Sequence, residues 1–111
     1  MEIKKNTEKR AYAVKIALEE AGQEVGRAYL YVLYNDLHSE PFGFLEDLFV
    51  VEEFRSQGVG RQLIEASVEE AKVQGCYKLI CTSREGRDSL HEWYGKLGFK
   101  DYGKEFRMDL N

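Results

Sequence analysis

The sequence predicts an α+β fold of the three-layer type: a mixed, mostly antiparallel sheet with a splayed parallel pair of strands and two helices. Three observations predict it. Apolar runs rich in strand-forming residues occupy residues 12–19, 27–34 and 43–51, a long amphipathic stretch follows at residues 59–74, and a short apolar run comes next at residues 77–82. Strands on either side of a helix indicate a parallel, right-handed crossover.

The first two strands are predicted to form an antiparallel hairpin. Residues 12–19 and 27–34 are rich in aromatic and aliphatic side chains that favour extended backbone, and Ala-Gly-Gln-Glu between them reads as a turn. The third strand, at residues 43–51, is almost continuously apolar, which predicts burial on both of its faces.

A helix is predicted at residues 59–74 and a fourth strand at residues 77–82. Gly75 follows the helix as its expected end. Apolar or small side chains recur through the helix at three- and four-residue spacing, which gives it one buried face: Gly60, Leu63, Ile64, Ser67, Val68 and Ala71.

A second, shorter helix is predicted at residues 88–97, with Gly98 at its end. The tail from Gly98 to Leu110 is predicted to form one or two closing strands around a turn at Gly103.

The chain of 111 residues has the size of one domain, which we predict at residues 11–111 after a polar segment at residues 1–10. It has 20 acidic and 16 basic residues and a net charge of −4, which argues against a nucleic-acid partner because such proteins need a basic face. The longest apolar run, Ala28 to Tyr34, is far shorter than the roughly 20 residues of a membrane span. We therefore expect no nucleic acid and no membrane as partners.

The two cysteines, Cys76 and Cys81, are too few for a disulfide framework or a zinc site. We expect both as reduced thiols in a cytoplasmic protein that binds no metal, since the N-terminus does not read as a secretory signal. A chain of this length has a small core, so we also expect a homodimer.

The segment from Arg55 to Arg61, Arg-Ser-Gln-Gly-Val-Gly-Arg, lies between the third strand and the first helix. N–H groups in the first turn of a helix have no intrahelical partner, and the helix dipole adds partial positive charge there. Gly58 and Gly60 let a ligand approach that backbone, so a diphosphate fits. The glycine and lysine spacings of dinucleotide and nucleoside-triphosphate loops are missing. A tight turn without a ligand is the alternative.

Two carboxylates, Glu46 and Asp47, interrupt the apolar third strand. Successive strand side chains point to opposite faces, so we expect one carboxylate beneath a packed layer. Burial of an unpaired carboxylate is costly and raises its pKa, which is what a base working near neutrality needs. The alternatives are an arginine partner or exposure at a splayed edge.

Two linked sequence motifs indicate a protein family to which the Arg55–Arg61 segment and Glu46 can be compared. Arg-x-x-Gly-x-Gly follows an apolar strand, and Tyr-x-x-x-Gly-Phe follows later, at Tyr94 to Phe99. The pair resembles the GNAT N-acetyltransferases over roughly Gly43 to Leu110. Leu45 to Val50, followed by Phe54-Arg55, is most similar to the polyamine and diamine acetyltransferase branch. The resemblance implies a GNAT-like fold and an acetyl-CoA-dependent N-acetyltransferase.

The resemblance also implies how acetyl-CoA is bound. Main-chain groups of Leu48, Phe49 and Val50 would pair with the pantetheine arm as an added strand does, and Arg55 would supply positive charge. In the family this strand splays from its parallel neighbour, here residues 77–82, and the arm enters the gap. The diphosphate would be held by N–H groups of Ser56, Gln57, Gly58, Val59, Gly60 and Arg61.

Glu46 and Tyr94 are the catalytic residues that the resemblance implies, because the acetyl thioester would lie near both. A primary amine is protonated at neutral pH and must lose a proton before it attacks, so Glu46, directly or through one water, is the general base. The phenol of Tyr94 would protonate the leaving thiolate as the general acid. A backbone N–H near Leu48 would polarise the carbonyl. Direct transfer in a ternary complex needs no covalent enzyme intermediate.

The sequence departs from the family pattern in three places. Glu53 stands where many members have proline, and Arg87 stands where many have a cofactor-binding asparagine, although Arg84 or Arg87 could reach a phosphate instead. The usual N-terminal helix pair, which walls off the acceptor pocket, is missing between the first two strands. The pocket is therefore expected to be open, which suits a peptide or protein amine, or closed by a second subunit, which suits a small amine.

Two other functions compete with the enzyme. One is a coenzyme A-binding or sensing module without turnover, which the missing pocket helices favour. The other is an interaction domain without a ligand.

Overall fold

A computed structural model describes residues 1–83 and 88–111 of the chain. The chain forms two compact units, residues 1–81 with the sheet and the first helix, and residues 82–111 with the second helix. Residues 1–10 are exposed and have no regular secondary structure. The described elements are β1 (Ala11–Glu20), β2 (Gln23–Leu33), β3 (Phe42–Val50), a 3-10 turn (Glu52–Phe54), α1 (Val59–Val73), β4 (Leu79–Cys81) and α2 (Asp88–Lys96).

The strands form one sheet in the order β1-β2-β3-β4. The β1–β2 and β2–β3 pairs are antiparallel, whereas β3 pairs with β4 in parallel after the crossover through α1. This confirms the predicted α+β fold, with a mixed, mostly antiparallel sheet and two helices.

The β1–β2 hairpin turns over only Ala21 and Gly22, whose φ angles are 53° and 79°. Two successive positive φ values are those of a type I′ turn, whose twist matches that of the strands it joins. Glu20 therefore pairs directly with Gln23. The sequence predicts β2 from residue 27, but the strand begins at Gln23 because a two-residue turn leaves the next residues available for pairing.

Helix α1 covers one face of the sheet. The side chains of Ala28, Leu30 and Val32 on β2 are fully buried. The Ser67 hydroxyl, buried with them, donates a 2.6 Å hydrogen bond to the Leu63 carbonyl oxygen and is thereby satisfied. The buried face of the helix includes most of the predicted stripe and consists of Val59, Leu63, Ile64, Ser67 and Ala71.

The C-terminus of α1 is closed by its own backbone. Gly75 has a φ of 78°, and its N–H donates a 3.0 Å hydrogen bond to the Lys72 carbonyl oxygen. The Cys76 N–H donates a second, also of 3.0 Å, to the Ala71 carbonyl oxygen. These two bonds make a Schellman motif, which favours glycine at the left-handed position. They confirm Gly75 as the residue that ends the helix.

Helix α1 approaches β2 closely at Gly26. A Cβ at this position would lie 2.9 Å from Val59 Cγ1, 3.0 Å from Leu63 Cδ1 and 3.3 Å from the Phe49 carbonyl oxygen. Because glycine has no side chain, the first turn of α1 can pack against the sheet beside the end of β3. The small size of Gly26 therefore determines where the helix begins relative to the strand.

Only the first half of β3 is buried, so the prediction of burial on both faces is wrong. Gly43 and Leu45 are buried, whereas Asp47, Leu48 and Phe49 are exposed. A change in the backbone at Asp47, described below, turns the second half of the strand outward.

The C-terminal part of the chain also differs from the prediction. β4 covers Leu79–Cys81 rather than residues 77–82, and the predicted strands between Gly98 and Leu110 are wrong, because residues 99–111 have no strand. Tyr102 and Phe106 are each 92% exposed. Aromatic residues favour extended backbone, but a strand also needs a paired neighbour and a surface to pack on.

Helix α2, Asp88–Lys96, corresponds to the predicted helix at residues 88–97. Across residues 1–83 and 88–111, no helix has both the length and the apolar composition needed to cross a membrane.

We expect Gly26→Ala to lower the free energy of unfolding by about 1–3 kcal/mol, the usual cost of extra volume in a packed core. The new Cβ would contact Val59, whose short branched side chain cannot swing aside. Urea titration followed by circular dichroism measures the loss. Ala66→Ser, which adds one heavy atom at an exposed position of α1, is the matched control. An unchanged midpoint for Gly26→Ala would contradict the close approach of α1 to β2.

Candidate active site

β3 changes its pairing with β2 at a bulge. Glu46 pairs with Tyr29 and Phe49 pairs with Arg27, so β3 advances by three residues while β2 advances by two. The extra residue is accommodated at Asp47, whose φ of 57° lies in the left-handed region. Bulges re-aim the strand that carries them, which explains why the residues after Glu46 are exposed.

β3 extends beyond its parallel neighbour. Its pairing with β4 covers Gly43 to Leu45 and ends at Cys81, whereas β3 itself continues to Val50. From Glu46 onward, no strand within residues 1–83 or 88–111 pairs with the edge of β3 that faces away from β2. An edge of this kind can bind an extended molecule through its main-chain N–H and C=O groups.

The loop from β3 to α1 contains two positive φ angles, 67° at Ser56 and 81° at Gly58. Gln57 Nε2 donates a 2.9 Å hydrogen bond to the Glu53 carbonyl oxygen across this loop. Helix α1 begins directly after Gly58, which has no side chain with which to cap the first N–H groups. A Cβ added at Gly58 or Gly60 would meet no atom within 4 Å, so the space in front of the helix start is open.

Arg55 connects this loop to the end of β3. Its Nε donates a 2.9 Å hydrogen bond to the Val50 carbonyl oxygen, and its guanidinium carbon lies 5.5 Å from the centre of the Phe49 ring. These two contacts hold a positive charge between β3 and the start of α1. Arg61 is exposed on the first turn of the helix.

Glu46 is half-buried and pairs with Tyr29 across the strands. Its neighbour Leu45 is buried on the α1 side of the sheet, so alternation puts Glu46 on the opposite face. Asp47 is exposed. The bulge turns Asp47 outward, so Asp47 is not the carboxylate beneath a packed layer. Glu46 is half-buried on the face that α1 does not cover, and for Glu46 the expectation stays a prediction.

Cys81, the last residue of β4, pairs with Leu45. Burial raises the pKa of the Cys81 thiol above its ordinary value, and the pKa of Cys76 is raised for the same reason. Both thiols are free of disulfide bonds. A thiol with a raised pKa stays protonated at neutral pH and is a poor nucleophile, so the chemistry of these cysteines fits packing rather than covalent catalysis.

Tyr94 lies on α2 in the second unit and is half-buried. The centre of its ring lies 5.7 Å from that of Trp93 and 5.5 Å from that of Phe99. The Phe99 N–H donates a 3.0 Å hydrogen bond to the Tyr94 carbonyl oxygen, and Gly98 between them has a φ of 103°. The Tyr-x-x-x-Gly-Phe motif is therefore a helix end in which glycine lets the phenylalanine fold back against the tyrosine.

The binding residues predicted from the sequence all lie within one continuous run of the first unit, from the exposed edge at Leu48 to the helix start at Arg61, in which only residues 51–54 are not predicted. Glu46 precedes that run. Tyr94 belongs to the second unit. The structure adds Arg27, which contacts the bulge from β2. Its sequence signal is weak, since it is a single basic residue at the start of an apolar, aromatic strand.

Arg84 and Arg87, which could reach a phosphate according to the sequence, lie outside the described residues. In the part of the chain that the structure describes, no group of three or more His, Cys, Asp and Glu side chains converges as metal ligands would.

A sequence model of the acetyltransferase (GNAT) family matches residues 2–99 of this chain. The match begins before β1 and includes the whole sheet, the loop between β3 and α1, and the Tyr94–Phe99 motif. It extends well to the N-terminal side of the stretch over which the sequence motifs resemble the family.

Two curated relatives give the extent of the similarity. A glucosamine 6-phosphate N-acetyltransferase of Trypanosoma brucei brucei is 40% identical over 68 residues, which are 61% of this chain and 44% of that protein. An aminoglycoside N(6′)-acetyltransferase type 1 of Stenotrophomonas maltophilia is 32% identical over 103 residues, which are 88% of this chain and 67% of that protein. The match therefore spans less than half the length of the first of these relatives.

Solved structures share the fold. An acetyltransferase of Trypanosoma brucei superposes with a TM-score of 0.76 at 33% identity, covering 88% of this chain and 69% of that one. An aminoglycoside N-acetyltransferase, AAC(6′)-Iy, in complex with CoA superposes with a TM-score of 0.66 at 24% identity, covering 87% of this chain and 75% of that one.

Proposed function

We propose that this chain, which belongs to the acetyltransferase (GNAT) family, moves an acetyl group from acetyl-CoA to a primary amine. The amine would attack the thioester directly in a ternary complex. The observation that carries the proposal is the continuous run from the unpaired edge of β3 to the uncapped start of α1. A molecule with an extended arm and a diphosphate matches such a run in chemistry.

The exposed edge of β3 suits the pantetheine arm of acetyl-CoA. The arm is extended and contains amide groups, so the main chain of Leu48, Phe49 and Val50 would bind it as an added strand. The side chains of Leu48 and Phe49, 39% and 44% exposed, would be partly covered by the arm. A protein with the same fold is known in complex with CoA, which supports CoA as the kind of ligand.

The start of α1 suits the diphosphate. N–H groups at a helix start bind anions through hydrogen bonds and through the helix dipole. Arg55 and Arg61 add positive charge in a chain whose net charge is −4. The N–H groups assigned to the diphosphate are those of Ser56, Gln57, Gly58, Val59, Gly60 and Arg61.

Glu46 is the proposed general base. A primary amine such as that of lysine has a pKa of about 10, so the acceptor arrives protonated and needs a base. Glu46 lies directly before the bulge that shifts the β2–β3 register, and so directly before the residues that would bind the arm. It would take the amine proton, directly or through one water, as the nitrogen attacks the carbonyl carbon.

Tyr94 is the proposed general acid. The carbon–sulfur bond breaks as the amide forms, and the phenol of Tyr94 would give its proton to the leaving thiolate. A main-chain N–H near Leu48 would stabilise the negative charge on the carbonyl oxygen during attack. Transfer of this kind needs no acetyl-cysteine intermediate.

An amino sugar is the proposed acceptor. The two curated relatives are named for glucosamine 6-phosphate and for an aminoglycoside, both of which carry an amine on a sugar ring. On the face of the sheet opposite α1, Tyr29 pairs with Glu46, and the rings of Tyr29 and Tyr31 stack with centres 6.3 Å apart. Aromatic rings beside a carboxylate attract a protonated amine. Polyamines and peptide amines remain as competing acceptors.

We also propose that the protein acts in the cytoplasm as a homodimer. The two free cysteines fit a reducing compartment, and a chain of this length has a small core that dimerisation would enlarge.

The alternative is a module that binds coenzyme A without turning it over. It would use the same β3 edge and the same helix start, so cofactor binding fits both functions and only turnover separates them.

Release of free thiol from acetyl-CoA tests the proposal. We expect release above the rate of acetyl-CoA hydrolysis with glucosamine 6-phosphate or an aminoglycoside, and slower release with spermidine or a lysine peptide. Faster release with the peptide or with spermidine would contradict the amino sugar as acceptor. Binding of CoA in calorimetry, with release at the hydrolysis rate for every amine, would contradict the enzyme and support the binding module.

We expect Glu46→Gln and Tyr94→Phe each to lower kcat by about tenfold or more, because proton transfer by a positioned side chain contributes at least that much. Steady-state kinetics with a saturating acceptor measures the loss. Asp47→Asn is the matched control for Glu46→Gln, since Asp47 is the exposed neighbouring carboxylate and asparagine tolerates a positive φ. If neither catalytic variant is slower than the wild type, these roles are wrong.

We expect Gly60→Ala to raise the KM for acetyl-CoA by about tenfold while stability stays the same or rises by up to about 1 kcal/mol. Within the protein the added Cβ meets no atom within 4 Å, and alanine is the better helix former, but the new methyl group would stand where the diphosphate approaches. Acetyl-CoA titrations and thermal unfolding measure the two effects, with Ala66→Ser as the control. An unchanged KM would place the diphosphate elsewhere.

A further inference from the structure

We propose that Arg27 is a positioning residue that holds the bulge of β3 in the form that binds the arm of acetyl-CoA. The inference rests on the proposed function, because it concerns the same edge of β3. Arg27 is on β2, outside the continuous run of binding residues, and it would touch neither the diphosphate nor the reacting atoms.

The first observation is the position of Arg27 in the sheet. The β2–β3 register shifts between Arg27 and Tyr29, opposite the left-handed residue Asp47. Left-handed backbone is uncommon outside glycine, although aspartate adopts it more readily than most residues, and the bulge interrupts the ladder that would otherwise order the strand. Contacts from neighbouring side chains can therefore decide how well this conformation is ordered.

The second observation is the pair of contacts that Arg27 makes. Its guanidinium donates a hydrogen bond to the Asp47 carbonyl oxygen, within the bulge itself. The guanidinium carbon also lies 5.2 Å from the centre of the Phe49 ring. One side chain thus contacts the bulged residue and the residue two positions beyond it.

The third observation is that Arg55 makes a matching pair of contacts. Its guanidinium bonds the Val50 carbonyl oxygen, and it too lies over the Phe49 ring. Arginines from β2 and from the loop before α1 therefore bond main-chain carbonyls on either side of Leu48 and Phe49. The two peptide groups between those carbonyls are the ones proposed to bind the arm.

Holding these peptide groups in one orientation lowers the entropy that the arm must remove when it binds. The planar guanidinium can bond a carbonyl and lie on a ring at the same time, whereas the ammonium of lysine is a compact point charge. Arg27→Lys is therefore expected to restore the charge without restoring the function.

The test uses the full chain and two readouts, which are NMR order parameters of residues 47–49 without ligand and calorimetric titration with coenzyme A. For Arg27→Met we expect lower order at Leu48 and Phe49 and a Kd for coenzyme A raised about tenfold, the effect of losing one charge-assisted hydrogen bond. Arg27→Lys should rescue less than half of that change in Kd. Lys15→Met, which removes a cation paired with Glu24 on the same sheet, should leave both readouts unchanged.

A donor without the diphosphate separates positioning from direct phosphate binding. If Arg27 acts through the bulge, Arg27→Met raises the KM for acetyl-pantetheine as much as that for acetyl-CoA, and kcat stays within about twofold. A loss seen only with acetyl-CoA would overturn the proposal in favour of a phosphate contact. If Arg27→Met does not fold, Arg27→Gln replaces it, since glutamine also lacks the guanidinium charge and should raise the Kd several-fold.

The outcomes distinguish this inference from the proposed function. If the wild type binds coenzyme A and Arg27→Met binds it equally well with unchanged order parameters, the role of Arg27 is overturned and the function stands. If the wild type binds no coenzyme A, both are overturned.

Discussion

The bulge at Asp47 is the constraint on which the rest of the site depends. A regular β3 would keep both its alternation and one pairing register with β2 along its whole length. The left-handed backbone at Asp47 instead exposes Leu48 and Phe49 at the place where β4 no longer pairs with the strand. The same interruption leaves Glu46 as the last residue of the regular strand. One local distortion therefore separates the carboxylate that would accept a proton from the main chain that would bind the acyl donor.

Packing of α1 against the sheet places the second half of the site. The first turn of the helix packs against Gly26, where a Cβ would meet Val59 and Leu63. The helix start is thereby fixed beside the end of β3, with Gly58 at its N-terminus and Arg55 bonded to the strand. In a phosphate site made of main-chain N–H groups, no side chain fixes the positions of the donors. Those positions depend instead on how the helix packs on the core beneath it.

Much of the fold could be predicted from the sequence because its signals are local. The three-residue and four-residue spacing of apolar side chains predicts α1, and Gly75 predicts where it ends. The runs of aromatic and aliphatic residues predict the two strands of the hairpin. The stretch from Arg55 to Arg61 could be found because glycines between a strand and a helix indicate a positive φ angle or the close approach of a ligand to the backbone. The family resemblance rests on that stretch together with the Tyr94–Phe99 motif.

The remaining features depend on contacts between distant residues. The bulge arises from the register between β2 and β3, and no characteristic residue marks it in the sequence. Asp47 takes a conformation that glycine or asparagine adopts more easily. Arg27 has its proposed role only because it contacts Asp47 and Phe49 across the two strands. The strand predicted in the C-terminal tail is absent from residues 99–111 for the same reason. Phe106 favours extended backbone, but that propensity does not provide a second strand to pair with.

Backbone amide chemical shifts during a titration with coenzyme A test the central claim most directly, because they report on main-chain groups one residue at a time. The largest changes are predicted at residues 48–50 and 56–61, with smaller changes at the far end of the sheet around Pro41. Saturable binding that leaves both of these stretches unchanged would contradict the assignment of the β3 edge and the α1 start as the binding site for the acyl donor.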